Sequence, residues 1–202
     1  MGLLKIAVLV SGRGSNLQAI IDSIGSGELQ AGIVCVISDK PGAEGLKRAQ
    51  KHSIEAVALD YSKFSGKDAY EAELLRVLKE KSPDIICLAG YMRIVGKDLI
   101  SAFRNRIVNI HPALLPSFPG LDSQKQALDH GVKVSGCTVH FVDEGCDTGP
   151  IILQKCVPVL EGDTEETLSI RILEQEHRAY PEALKLIADG RVRIEGRRVI
   201  IS

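Results

Sequence analysis

The sequence predicts an α/β fold: a doubly wound, mainly parallel sheet with a Rossmann-like N-terminal half and a mixed C-terminal extension that ends in a hairpin. Three observations predict it. Short, continuously apolar runs recur at residues 5–10 (KIAVLV), 32–38 (GIVCVIS), 55–59 (EAVAL), 84–89 (DIICLA) and 107–110 (IVNI). Unbroken rather than alternating apolar character marks strands covered on both faces, as in a parallel sheet. Helical patterns lie between the runs, and after residue 111 the pattern changes.

Taken in order, the run at 5–10 leads into a Gly-rich turn and then a helix in which Leu17, Ile20, Ile21 and Ile24 recur at helical spacing. Tyr70, Leu74, Leu75 and Leu78 predict a second helix that stops at Ser82-Pro83, because the residue before a proline is disfavoured in helical geometry. The stretch HPALLPSFPG carries three prolines and is predicted to be an ordered loop. A short helix is expected at 123–130, extended runs at 134–142 and 150–159, and a helix from 164 to 188 interrupted at Tyr180-Pro181. The last residues read as a hairpin turning at Glu195-Gly196. With no repeat, low-complexity stretch or linker, residues 1–202 are expected to form one domain with halves at 1–110 and 111–202.

The 202 residues include 25 Lys+Arg and 26 Asp+Glu, a net charge of -1. Balanced charge argues against a delocalised grip on nucleic acid or an anionic membrane. Four Tyr, four Phe and no Trp leave little material for stacking single-stranded bases. Any anionic ligand is therefore expected to be held locally. Five cysteines without a CxxC pair argue against a disulfide framework. Cys35 and Cys87, inside apolar runs, read as buried reduced thiols. The first apolar stretch is too short to span a membrane and lacks signal-peptide features, so the expected location is the cytoplasm.

The segment Ser11-Gly12-Arg13-Gly14-Ser15-Asn16 joins the first strand to a helix. Such a turn exposes amide N–H groups beside the positive end of the helix dipole, which suits a phosphate without any surplus of Lys or Arg. A dinucleotide fingerprint would need a further Gly near Leu17, although Asp39 stands where a ribose-binding acid could be. A P-loop would need Gly-Lys-Ser/Thr. Alternatively, the glycines only make the tight turn.

In Val108-Asn109-Ile110-His111-Pro112, Asn109 and His111 are two residues apart at the C-terminal end of a strand and so point to one face, at the sheet edge where ligands sit in open α/β folds. The bland alternative is a satisfied core histidine. Asp147, in the turn between the two later extended runs, is the candidate partner, though Asp and Gly also make turns for local reasons. A metal site from His140, Glu144, Cys146 and Asp147 lacks a recurrent ligand spacing, and no metal is expected. A serine hydrolase lacks its G-x-S-x-G elbow.

Taken together, SGRGSNLQAII (11–21), LAGYMRIV (88–95), VNIHPALLPSFPG (108–120) and DTGPII (147–152) closely resemble the phosphoribosylglycinamide formyltransferases, a branch of the folate-dependent formyltransferase family. The resemblance covers essentially the whole chain. It implies transfer of the formyl group of 10-formyltetrahydrofolate to the amine of 5-phosphoribosylglycinamide in purine biosynthesis. Gly14, Ser15 and Asn16 match the loop that binds the ribonucleotide phosphate, and Glu176 a second ribonucleotide contact. Lys67, the backbone of Met92, Arg93, Ile94 and Val95, and Asn109 match folate-binding positions, with loop 143–147 closing around the pterin. Residues 111–202 are then the folate and catalytic half. His111 matches the catalytic histidine, assisted by Asn109, and Asp147 the acid that tunes it. Beside Asp147 the His111 pKa is expected to be raised. Lys67 stands where some members carry Arg, and Asp122 and Gln124 where relatives can carry His. The resemblance implies small-molecule partners and a monomer or homodimer. The nearest alternatives are a formyltetrahydrofolate hydrolase or a methionyl-tRNA formyltransferase, whose extra regulatory or tRNA-binding regions are not seen in this sequence. A non-catalytic nucleotide sensor would need the glycine loop alone.

Overall fold

Apolar residues with no exposure at all, Ile6 to Val10, form the middle of the first strand, and its neighbours are built the same way. The computed structural model describes residues 2–202. In chain order these form β1 (Leu4–Val10), α1 (Ser15–Gly25), β2 (Ala31–Ser38), α2 (Glu44–Lys51), β3 (Ala56–Ala58), a 3-10 turn (Tyr61–Lys63), α3 (Lys67–Lys81), β4 (Ile85–Leu88), α4 (Lys97–Ala102) and β5 (Ile107–His111). There follow α5 (Ser123–Asp129), β6 (Val134–Phe141), β7 (Ile151–Pro158), α6 (Glu165–Ala188), β8 (Val192–Glu195) and β9 (Arg198–Ile201). The fold is α/β, with a seven-stranded, mostly parallel sheet of order β3-β2-β1-β4-β5-β6-β7 and a separate β8-β9 hairpin. The chain divides into two compact units between Val108 and Asn109.

In the first unit β1 pairs in parallel with β2 and β4, and β2 with β3. Each fully buried Ile or Leu of this layer stabilises the fold by about 1.5–3 kcal/mol. α3 buries Tyr70, Leu74, Val77 and Leu78 and stops at Ser82, which takes left-handed φ of 47° before Pro83. The helices α2 and α4 are not predicted by the sequence. They are only 8 and 6 residues long, too short for a periodic stripe to be legible.

In the second unit β6 and β7 form an antiparallel pair that α6 packs against. The expected interruption of α6 at Tyr180-Pro181 is absent. The helix runs 24 residues through Pro181, with Tyr180, Pro181, Ala183 and Leu184 buried. Proline forfeits one intrahelical bond there, and burial of this face offsets the loss. Thr164 starts the helix with a capping box to Thr167. At the C-terminus the turn falls one residue later than expected: Glu195 pairs with Arg198, and Gly196, with φ of 59°, begins the reversal.

Candidate active site

The second unit brings the expected catalytic residues together. Asn109 and His111 alternate onto one face of β5, and Asp147 reaches them from the turn between β6 and β7, where its own φ is 55°. Asp147 Oδ2 lies 3.3 Å from His111 Nδ1, and Asp147 Oδ1 accepts from Asn109 Nδ2 at 3.4 Å. The amide of Gly120, in the Pro-rich loop after β5, donates to Asp147 Oδ2 at 2.8 Å. His111 Nε2 is 2.8 Å from the Phe118 carbonyl, so an oxygen acceptor faces each ring nitrogen. A neutral ring can satisfy only one of them, and an imidazolium satisfies both.

The electrostatics correct one expectation. Burial lowers the His111 pKa below the usual 6.5, and the Phe118 carbonyl and Asp147, which raise it, do not make up the difference. His140 adds a smaller lowering effect. A ring only 4% exposed loses more hydration on charging than one shared carboxylate returns. Asp147 behaves in the opposite way. Burial alone would raise it, but the His140 contact, the Gly120 amide and the nearby His111 hold it at about 2.

Sequence reasoning weighs His140 only as a metal ligand and so misses its place here. His140, 2% exposed on β6, lies 2.8 Å through Nδ1 from the Phe141 carbonyl. With Nδ1–H given to that carbonyl, Nε2 is left to accept from Asn109 Nδ2 at 3.2 Å. Both hydrogens of the Asn109 amide are thereby engaged, one by His140 and one by Asp147. The 3.4 Å bond to Asp147 is the longer and the more easily exchanged for a ligand oxygen. No local motif marks His140 in the sequence, since its role depends on pairing between distant strands.

Glu176, expected to contact the ribonucleotide, is buried on α6. Asp122 precedes α5 with left-handed φ of 56°, and Gln124 receives a bond from the Ser123 hydroxyl, so neither reproduces a histidine.

The first unit carries the other expected residues. Gly14 takes φ of 69° at the start of α1, and a methyl group on it would lie 2.7 Å from Gly45 Cα. Having no side chain, it caps none of the first amides of α1, and no acid stands in the first turn. Ser15 and Asn16 follow as the first helical residues. These are the features of an anion-binding helix start. The Met92 amide donates to the Ser11 hydroxyl at 2.9 Å, tying segment 92–95 to the glycine loop. Met92 and Ile94 are exposed and Val95 is buried. Lys67 lies 3.7 Å from Glu71 and is half exposed.

A cavity of about 320 Å³ is lined by Lys67, Tyr70, Tyr91, Arg93, Ile94 and Val95 among others. Arg93 lies 3.3 Å from the centre of the Tyr61 ring, with Nε bonded to Asp39 at 2.8 Å. Asp39, the alternative ribose acid, is therefore engaged by Arg93. The few aromatics are also less dispersed than composition suggests: Tyr61 and Phe64 pack on Tyr70, whose hydroxyl meets that of Tyr91 at 2.8 Å.

The profile of the formyl transferase family matches residues 4–184. The chain belongs to the formyl transferase family. Its structure matches the crystal structure of glycinamide ribonucleotide transformylase 1 from Symbiobacterium toebii with a TM-score of 0.96 and 54% identity, over 98% of this chain and 94% of that one. The phosphoribosylglycinamide formyltransferase of Escherichia coli strain K12 is 42% identical over 95% of this chain and 90% of its own. The trifunctional purine biosynthetic protein adenosine-3 of Drosophila pseudoobscura pseudoobscura is 52% identical over 94% of this chain, which spans 14% of that longer protein. No described helix is long and apolar enough to cross a membrane.

Proposed function

We propose that this formyl transferase moves the formyl group of 10-formyltetrahydrofolate to the amine of 5-phosphoribosylglycinamide, giving the formylated ribonucleotide and tetrahydrofolate for purine biosynthesis. The observation that carries the reading is the convergence of Asn109, His111 and Asp147, with Asp147 3.3 Å from His111 and 3.4 Å from Asn109, which lies 38 residues earlier in the chain.

The chemistry follows from what these groups can do. The substrate amine attacks the formyl carbon, a C–N bond forms and the carbonyl becomes an oxyanion. Asn109 supplies an N–H to that oxygen, exchanging its long bond to Asp147. His111, entering neutral because of its burial, takes the proton from the attacking nitrogen. It then passes the proton to N10 as the C–N10 bond breaks. Asp147, ionised down to about pH 2, stabilises the imidazolium in between. Gly14, Ser15 and Asn16 anchor the phosphate, so that attack is positioned rather than a free encounter, and Glu176 provides a second ribonucleotide contact. Lys67 and segment 92–95 hold the folate.

The partners on this reading are these two small molecules, without nucleic acid, and the chain acts as a monomer or homodimer. A cytoplasmic location agrees with cysteines that form no disulfide among the described residues, of which Cys35 and Cys137 are pushed up to about 12 by burial. A coupled assay tests the activity. Tetrahydrofolate is expected to appear only when 5-phosphoribosylglycinamide is present, and release without it would make the chain a hydrolase.

A further inference from the structure

Two consecutive peptide groups of the glycine loop are held by α2, one of the two helices that the sequence does not predict. The Gly12 carbonyl accepts from the Gly45 amide at 3.0 Å, and the Arg13 carbonyl accepts from Arg48 Nε at 2.8 Å. Both peptides are trans. In a planar trans peptide the N–H points opposite to the C=O. Tying these two carbonyls to α2 therefore turns the amides of Arg13 and Gly14 away from that helix. Successive N–H groups turned to one side, next to the uncapped start of α1, form a concave anion cradle.

The contact is backbone to backbone. A methyl group on Gly14 would meet Gly45 Cα at 2.7 Å, and one on Gly45 would meet Val10 Cγ2 at 2.9 Å, so glycine at both positions lets α2 approach this closely. Arg48 is held at every nitrogen. Besides the bond from Nε, its Nη1 donates to Gln18 Oε1 of α1 at 3.3 Å and its Nη2 lies 3.5 Å from Glu44. Gln18 in turn bonds Asp22 at 2.8 Å and contacts His52, at the end of α2, at 3.2 Å. With its charge answered by Glu44 and each of its three nitrogens facing a partner, Arg48 is placed to orient the loop.

From this geometry we infer that Arg48 is a positioning residue for phosphate, acting through the Arg13 carbonyl to aim the Gly14 amide at a phosphomonoester. The inference rests on the proposed role of residues 14–16 and adds the device that sets their geometry. It also places a cation behind the cradle, where net charge does not reveal it. Lysine at this position keeps the charge but not the planar fork that reaches Arg13, Gln18 and Glu44 together.

The test uses the full chain with inorganic phosphate as probe, read by calorimetry, followed by steady-state kinetics. Arg48→Met, which keeps the length of the stem, is expected to raise the Kd for inorganic phosphate about tenfold or more, as for loss of one charge-assisted bond. The KM for 5-phosphoribosylglycinamide should rise in step, while kcat and the KM for 10-formyltetrahydrofolate stay within about threefold. Arg48→Lys is expected to weaken phosphate at least about threefold, because the fork and not the charge is at work. Three results would overturn the inference: an unchanged phosphate Kd in Arg48→Met, wild-type phosphate binding by Arg48→Lys, or an equal rise in both KM values, which is general loosening. Should Arg48→Met not fold, the Arg48→Lys titration decides alone. Phosphate binding is read without turnover, so a wild-type chain that binds phosphate but does not formylate the ribonucleotide overturns the proposed function and leaves this inference standing.

Discussion

In the cluster of Asn109, His111, His140 and Asp147 the groups that the proposed function uses are side chains, and the four come from one strand end, a second strand and a turn. On the proposed function, the working groups of the loop at residues 11–16 are consecutive main-chain amides, held in place by the bonds from Gly45 and Arg48. The first region gains its chemistry from desolvation: the same burial that lowers the His111 pKa strengthens its contact with Asp147. The second rests on a conformation that only glycine at position 14 adopts without strain. A side-chain site is therefore open to direct substitution, whereas a main-chain site must be attacked through its geometry.

The sharpest break is expected in the side-chain cluster. Asn109→Ala should lower kcat about 10²-fold, as for removal of one oxyanion donor, and a loss within about threefold in steady-state assays would end that role for Asn109. The corresponding change in the loop acts through the backbone. Gly14→Ala combines φ of 69° with a 2.7 Å approach to Gly45 and should cost about 1–3 kcal/mol of stability, together with a raised KM for the ribonucleotide. Urea unfolding checks the first part, and a wild-type midpoint would show that the loop tolerates a side chain there.

Smaller effects sharpen the electrostatic half of the comparison. Asp147 raises the His111 pKa, so Asp147→Asn should move the acid limb of the kcat profile to lower pH, and an unmoved limb would uncouple the pair. The smallest effect is on stability. Asp147 titrates at about 2 in the folded chain against 3.8 for a free carboxyl, so its contribution is complete above pH 3.8 and is lost as pH falls through about 2. His111 acts in the same direction in a higher window. Its folded pKa lies below 6.5, so the unfolded chain binds the proton more readily and stability falls as pH drops from 6.5. Urea midpoints measured from pH 7 downward should decline in both windows, and a flat profile between pH 7 and pH 5 would contradict the burial argument for His111.

Much of this was legible in the chain because it is local. Buried strands such as Ile6 to Val10 declare themselves as unbroken apolar runs, and the glycine loop and the Asn109-His111 pair are each contained within a few residues. What was illegible depends on partners far away in sequence. Nothing around His140 announces that it holds the Asn109 amide, and nothing in residues 44–51 announces a helix whose Gly45 and Arg48 grip a loop some 35 residues earlier.

By itself, then, the sequence determined the α/β class, the family resemblance and the residue types needed for the chemistry, because periodicity and short motifs are carried by neighbouring residues. Tertiary structure alone decided the proton affinity of His111, the continuity of α6 through Pro181 and the direction in which the loop amides point. Each of these is a balance of burial against pairing or packing, and it takes a sign only once the fold has set how deep each group lies and which partners face it.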